Sequence, residues 1–155
     1  MTSAAKENGG PRSGGEVFLP DGLLGFEDLT RFIIVEDSDA HPFCRLQSQD
    51  DPEVMFIIVD PTIIYGNDYA VPLAESDRDV LDLASEDVVD TWVLVAPVEG
   101  PERFAANLKG PVVLNTRNRV AKQVVVYNPA YAFRHPIRMA DTASDRARLK
   151  AQVYR

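Results

Sequence analysis

Short apolar runs separated by turn residues dominate this chain, at a spacing that suits strands rather than helices. The most telling stretch is Leu46-Gln47-Ser48-Gln49-Asp50-Asp51-Pro52, followed by the apolar run 54–59 and closed by Asp60-Pro61. A polar turn, six apolar residues rich in Val and Ile, and a rigid stop predict a strand buried on both faces. Other strand candidates are residues 16–19, 31–35, 43–47 and 91–96. Residues 111–115 and 122–127 flank the polar loop 116–121, and their β-branched character and short connection predict an antiparallel hairpin. Helical signal is sparse. Residues 75–83 offer Ser76 as a cap with Asp77 and Asp79 in the first turn, and 27–29 suit a single turn. Many strands without β-α-β alternation predict an all-β fold: one small barrel-like or sandwich domain with at most two short helices. Ile57, Val59, Trp92, Leu94, Val113 and Val125 are expected to be deeply buried.

The length of 155 residues suits a single domain. The glycine-rich residues 1–15 read as a disordered head, 16–138 as the domain, and 139–155 as a basic tail or short helix. In the tail, Leu149 and Val153 stand four apart. The head lacks the apolar segment of a signal peptide, and no run reaches the length of a membrane span, which predicts a cytoplasmic protein. A single cysteine, Cys44, excludes an internal disulfide framework and fits a reducing compartment.

Charge adds a second layer. The net charge of −8 conceals a division. Residues 16–102 carry 21 acidic and 3 basic side chains, whereas 103–155 carry 2 acidic and 11 basic ones. The acidic body repels nucleic acid and favours basic partners. The loop Arg117-Asn118-Arg119 with Lys122 is basic, yet it stands alone against that body and has no aromatic interleaving, so direct nucleic-acid binding is not expected.

Reactive chemistry finds little support. His41 and His135 each precede a proline, and His41 with Cys44 is half a metal site without its second half. No bound metal and no cofactor are expected. There is no nucleophile elbow, phosphate-cradling glycine loop or dinucleotide fingerprint. The carboxylate doublets Glu27-Asp28, Glu36-Asp37, Asp50-Asp51 and Glu86-Asp87 fall in turns, and adjacent strand residues face opposite ways, so they make poor acid–base dyads. The chain reads as a binding protein and not as an enzyme.

Several phrases, taken in order, resemble the flagellar assembly factor family FliW. They are Pro20-Asp21-Gly22-Leu23-Leu24-Gly25-Phe26, Leu46-Gln47-Ser48 with Asp51-Pro52, and Phe56-Ile57-Ile58-Val59-Asp60-Pro61. Asn107-Leu108-Lys109-Gly110-Pro111-Val112-Val113-Leu114-Asn115, Gln123, and Tyr131 with Arg134-His135-Pro136-Ile137 complete the match over about residues 16–138. The resemblance implies a small β-barrel that binds flagellin as a cytoplasmic chaperone. When free, it binds the RNA-binding translational regulator CsrA and relieves repression of flagellin mRNA, the two partnerships being mutually exclusive. The matched phrases supply the candidate partner-binding residues Leu23, Leu24, Phe26, Gln47, Ser48, Asp51, Asn107 and Asn115, with Asp50 beside them. Gly22 and Gly25 frame Leu23, Leu24 and Phe26 in a loop where an aromatic anchor is plausible, although Phe26 suits the core equally well. The alternative reading is a small acidic barrel module for some other basic protein.

Overall fold

The computed structural model describes residues 15–100 and 103–137. The expected head, except for Gly15, and the expected tail lie outside the described residues. Nine strands form one antiparallel sheet system. They are β1 (Glu16–Phe18), β2 (Arg31–Glu36), β3 (Cys44–Ser48), β4 (Met55–Val59), β5 (Val89–Pro97), β6 (Phe104–Ala106), β7 (Val112–Asn115), β8 (Ala121–Gln123) and β9 (His135–Pro136). Pairing runs β1-β2-β3-β4-β5-β6-β9, with β7 on β5 and β8 on β7. Strand β5 organises the fold because it is long enough to serve two neighbours along one edge. Val89 to Trp92 pair with β7, whereas Val95 to Pro97 pair with β6.

Alternation decides which residues enter the interior. Val17, Ile34, Leu46, Ile58, Trp92, Val112, Leu114 and Ala121, drawn from seven strands, surround a void of only about 10 Å³. That is room for about one water among apolar walls, so the interior is a packed core rather than a ligand lumen. Phe18 donates its N–H to Arg119 O at 3.0 Å, and one parallel bridge, Phe18↔Val120, brings β1 to the start of β8. The strands thus wrap like a barrel, but among the described residues no continuous ladder closes it.

The outer face of the sheet is covered in two places. Phe43, Val59, Val93, Phe104, Tyr131 and Ile137 build a second core beneath helix α1 (Pro61–Ile64). A third core, with Leu81, Val113 and Val124, lies under helix α2 (Glu75–Leu81). Asp60-Pro61, expected as a stop, also starts α1: Asp60 Oδ1 accepts from Thr62 N–H at 2.9 Å, and Pro61 occupies the first turn, where no N–H is needed. In α2 the cap is Ala74 and not Ser76; the Asp77 carboxylate reaches back to Ala74 N–H at 2.9 Å.

Three expectations about the core need correction. The strand expected to be buried on both faces is buried only at its end, at Ile58 and Val59, while Met55 is exposed. The reason is a fork. Pairing between β4 and β5 stops at Ile57↔Val95, where β5 turns to β6 and leaves Met55 and Phe56 without a neighbour on that side. Ile57 and Leu94 flank this fork and are only partly buried. Val125 is 55% exposed, because the N–H groups of Val124 and Val126 bond Pro111 O and Lys109 O and those two side chains take the covered side. Val59, Trp92 and Val113 are buried as expected.

Candidate partner-binding surface

At the forked end of the barrel the sequence builds an exposed apolar surface on a fixed frame. The loop after β1 doubles back tightly: Phe26 N–H donates to Leu23 O at 2.7 Å, and Leu29 N–H to Phe26 O at 3.1 Å. Gly22 makes this possible, since it has φ +66 and a Cβ there would lie 2.6 Å from Glu27 Cα and Phe26 O. Leu23 is buried and anchors the loop, which leaves Leu24 77% exposed at its crest. Phe26 lies across the mouth, its ring edge-to-face with Phe56 at 5.2 Å.

A polar strut fixes the loop to β8, the strand that meets β1. Gln123 Oε1 accepts from Leu24 N–H at 2.8 Å, and its Nε2 donates to Gly110 O at 2.9 Å. Gly110 is hemmed in by Gln123 and Asn107, whose side-chain nitrogens would lie 2.9 and 3.1 Å from a Cβ. Asn107 in turn accepts from Lys109 N–H at 3.0 Å. Beside this strut a groove of about 930 Å³ runs along the end of β5, lined by Phe56, Leu94, Pro97, Asn107, Phe133 and Arg134 among others. Lys109 Nζ stands 5.9 Å over the exposed Phe133 ring. Two residues beyond the strut are Val125 and then Tyr127, which is 84% exposed. Phe26 against Phe56 and the groove that Phe56 and Phe133 line form an exposed apolar area of the kind that marks an interaction surface.

The candidate residues separate into three places. Leu23, Leu24, Phe26 and Asn107 come together at the mouth. Gln47, Ser48, Asp50 and Asp51 form the β3–β4 turn beside it, and there they staple backbone. Ser48 is buried, and its Oγ accepts from the N–H groups of Asp50 and Asp51 at 3.1 and 3.0 Å. Gln47 Nε2 faces three carbonyls, of Ser48, Pro52 and Val54, each at 3.1 Å. Asp50 accepts from Thr30 and Arg31 N–H and pairs with the Arg31 guanidinium at 2.9 Å. Those N–H groups and the guanidinium hold its carboxyl below the ordinary range. Asp51 caps Glu53 N–H at 3.1 Å.

Asn115 is elsewhere. It lies fully buried at the end of β7. Its Nδ2 donates to Leu81 O at 3.0 Å and to Asp87 Oδ2 at 3.1 Å, and its Oδ1 accepts from Arg117 N–H. Arg117 Nε donates to both Asp87 oxygens at 2.9 and 3.0 Å, and this guanidinium, with Ala84 N–H, pushes the Asp87 carboxyl down to about 2. Lys122 pairs with Asp77 at 3.1 Å, and Arg119 Nε donates to Glu16 O at 3.1 Å. The basic hairpin is therefore committed to internal contacts rather than presented to phosphate.

Sequence reasoning did not single out Phe56, Leu94, Val125, Tyr127 or Phe133 as surface residues. Gln123 appeared only within a matched phrase, since nothing local shows that it bonds a loop 99 residues away. Among the described residues no group of three or more His, Cys, Asp or Glu is placed to hold a metal ion. No helix among them is long and apolar enough to cross a membrane.

Comparison with known proteins bears on the family and the fold. The family model described as "FliW protein" matches residues 12–137. The flagellar assembly factor FliW of Geobacter sulfurreducens is 37% identical over 120 residues, 77% of this chain and 74% of that protein. The protein of the same name from Bacillus subtilis is 34% identical over 121 residues, covering 78% and 84% of the two chains. A crystal structure of the flagellar assembly factor FliW superposes with a TM-score of 0.71 at 26% identity, over 79% of this chain and 84% of that one.

Proposed function

The chain belongs to the FliW family, and from that membership we propose that its mouth surface binds flagellin and CsrA in the cytoplasm, one at a time. It is a flagellar assembly factor and not an enzyme. Flagellin held at the mouth is chaperoned until export. The freed surface then takes CsrA and lifts its repression of flagellin mRNA. The observation that carries this reading is the exposed Leu24 and Phe26 beside the groove of Phe56 and Phe133, on a loop that Gln123 of β8 fixes in place. Aromatic side chains on a rigid support give binding energy at low entropic cost. The acidic body adds attraction for a basic RNA-binding protein, mainly through the association rate.

The test is equilibrium and kinetic binding of the purified chain to flagellin and to CsrA, followed by competition between them. Both should bind, each should displace the other, and Leu24→Ala with Phe26→Ala should weaken flagellin binding while the melting curve stays cooperative. Simultaneous binding of both partners, or wild-type affinity in the double variant, would remove the shared mouth from the account.

A further inference from the structure

A second depression adjoins the mouth on the other side of the fork. It has a volume of about 270 Å³, with Val35, Ala40, Phe43, Met55 and Ile57 in its walls and Asp37 at its edge. It shares Phe56 and the residues Val95, Ala96 and Pro97 with the larger groove. Asp37 lines it together with Arg45, and Glu36 and Asp39 stand close to Asp37 in the sequence, whereas Glu99 and Arg134 line the larger groove. An apolar floor with an acidic edge fits an amphipathic basic segment.

The chain itself carries such a segment, and it starts close by. Ile137 donates its N–H to Phe104 O at 3.0 Å, and Phe104 pairs with Pro97, so the last described residue is one strand removed from the cleft. Residues 138–155 follow, with Arg138, Arg146, Arg148, Lys150 and Arg155 against Asp141 and Asp145. Leu149 and Val153 stand four apart, which in a helix places them on one face. Eighteen residues reach about 27 Å even when fully helical, ample to lie across the cleft.

We propose that the basic C-terminal segment, residues 138–155, occupies this cleft, with Leu149 and Val153 on the apolar floor and the basic side chains against Asp37 and the neighbouring Glu36 and Asp39. Tethering makes the contact intramolecular, so a weak interface suffices.

The full chain carrying Ala151→Cys tests this without any partner. Cys44 lines the cleft, so the chain also carries Cys44→Ala, which leaves the new thiol as the one that takes a nitroxide label. In isotope-labelled protein the amide signals of Val35, Ala40 and Met55 should lose more than half their intensity, and those of Arg117 and Asn118 should not. Reversing Arg146, Arg148 and Lys150 to Glu should restore them. A mixture of nitroxide-bearing and isotope-labelled molecules reports a second copy. Broadening in that mixture, broadening confined to Leu24 and Phe26, or none at all would each overturn the proposal. The charge-reversed chain without a label gives an independent measurement. Its cleft amides should shift relative to wild type, and unchanged positions would also count against an occupied cleft.

Discussion

The two ends of this barrel use polar side chains in opposite ways. At the hairpin end, Asn115, Arg117, Arg119, Lys122, Asp77 and Asp87 all bond to other parts of the same chain, and little remains to offer a partner. At the mouth, Gln123 and Asn107 hold a frame whose outer surface is apolar. The first end carries the basic loop that stands out in the sequence, whereas exposure in the fold points to the second. A charged group already paired at short range costs something to recruit, because its present partner is left unsatisfied. An exposed aromatic ring on a fixed frame has no such prior commitment.

Breaking the hairpin end should show as stability. Asn115→Ala removes the link between β7, α2 and the loop carrying Asp87, and leaves buried polar groups short of a partner, at a cost of about 2–3 kcal/mol. Urea melts should record that loss, while the folded fraction binds flagellin with wild-type affinity. A drop in affinity of the folded protein would mean that the two ends are coupled.

Changes at the mouth should show as binding. Phe26→Ala should weaken flagellin binding by about 2 kcal/mol, roughly thirtyfold, if the ring is an anchor. Its effect on stability should stay smaller than that, since Phe26 is 39% exposed and loses chiefly its contact with Phe56. Titration calorimetry alongside a melt separates the two, and a larger loss of stability than of binding would move Phe26 into the core.

Acid should loosen the hairpin end first. The Asp87 carboxyl is held at about 2 against an ordinary 3.8, so its pairing contributes stability that is complete above about 4 and is lost as pH falls toward 2. Melts between pH 5 and 2 should therefore converge for wild type and Arg117→Ala. Parallel curves across that window would mean that the pair contributes nothing to stability.

Salt should produce the smallest effects and distinguish the partners. The on-rate of a basic partner such as CsrA should fall between 0.05 and 0.5 M salt as screening shortens toward a few ångströms, while flagellin binding through apolar contacts should change less. Single replacements at Asp50 or Asp51 should alter the on-rate by less than about threefold, because each is one charge among many. Stopped-flow mixing across a salt series checks both, and equal slopes for the two partners would end the distinction.

Much of the fold is legible in the residue pattern because strand burial is a local property with a period of two. Residues 31–35, 91–96 and the 111–127 hairpin predict β2, β5, β7 and β8 as apolar or β-branched runs between turn residues, and Asp60-Pro61 marks the end of β4. The site is legible only in part. Gly22 with Leu23 and Leu24 announces a special loop, since a glycine in a tight turn leaves a local trace. The same local reading takes Val125 for core, because in a continuous β-branched run nothing local says which face will be covered.

The sequence by itself determined the strands, their hairpin, the polar turn before β4, and membership of a family of assembly factors. These rest on neighbouring residues and on ordered phrases. Only the tertiary structure decided which end of the barrel stays open. The fork at Ile57↔Val95, the strut from Gln123 to a loop 99 residues distant and the burial of Asn115 beneath α2 all depend on strands that meet after folding. Contacts between residues far apart along the chain leave no periodic signature, so the apolar mouth became visible only when the barrel was assembled.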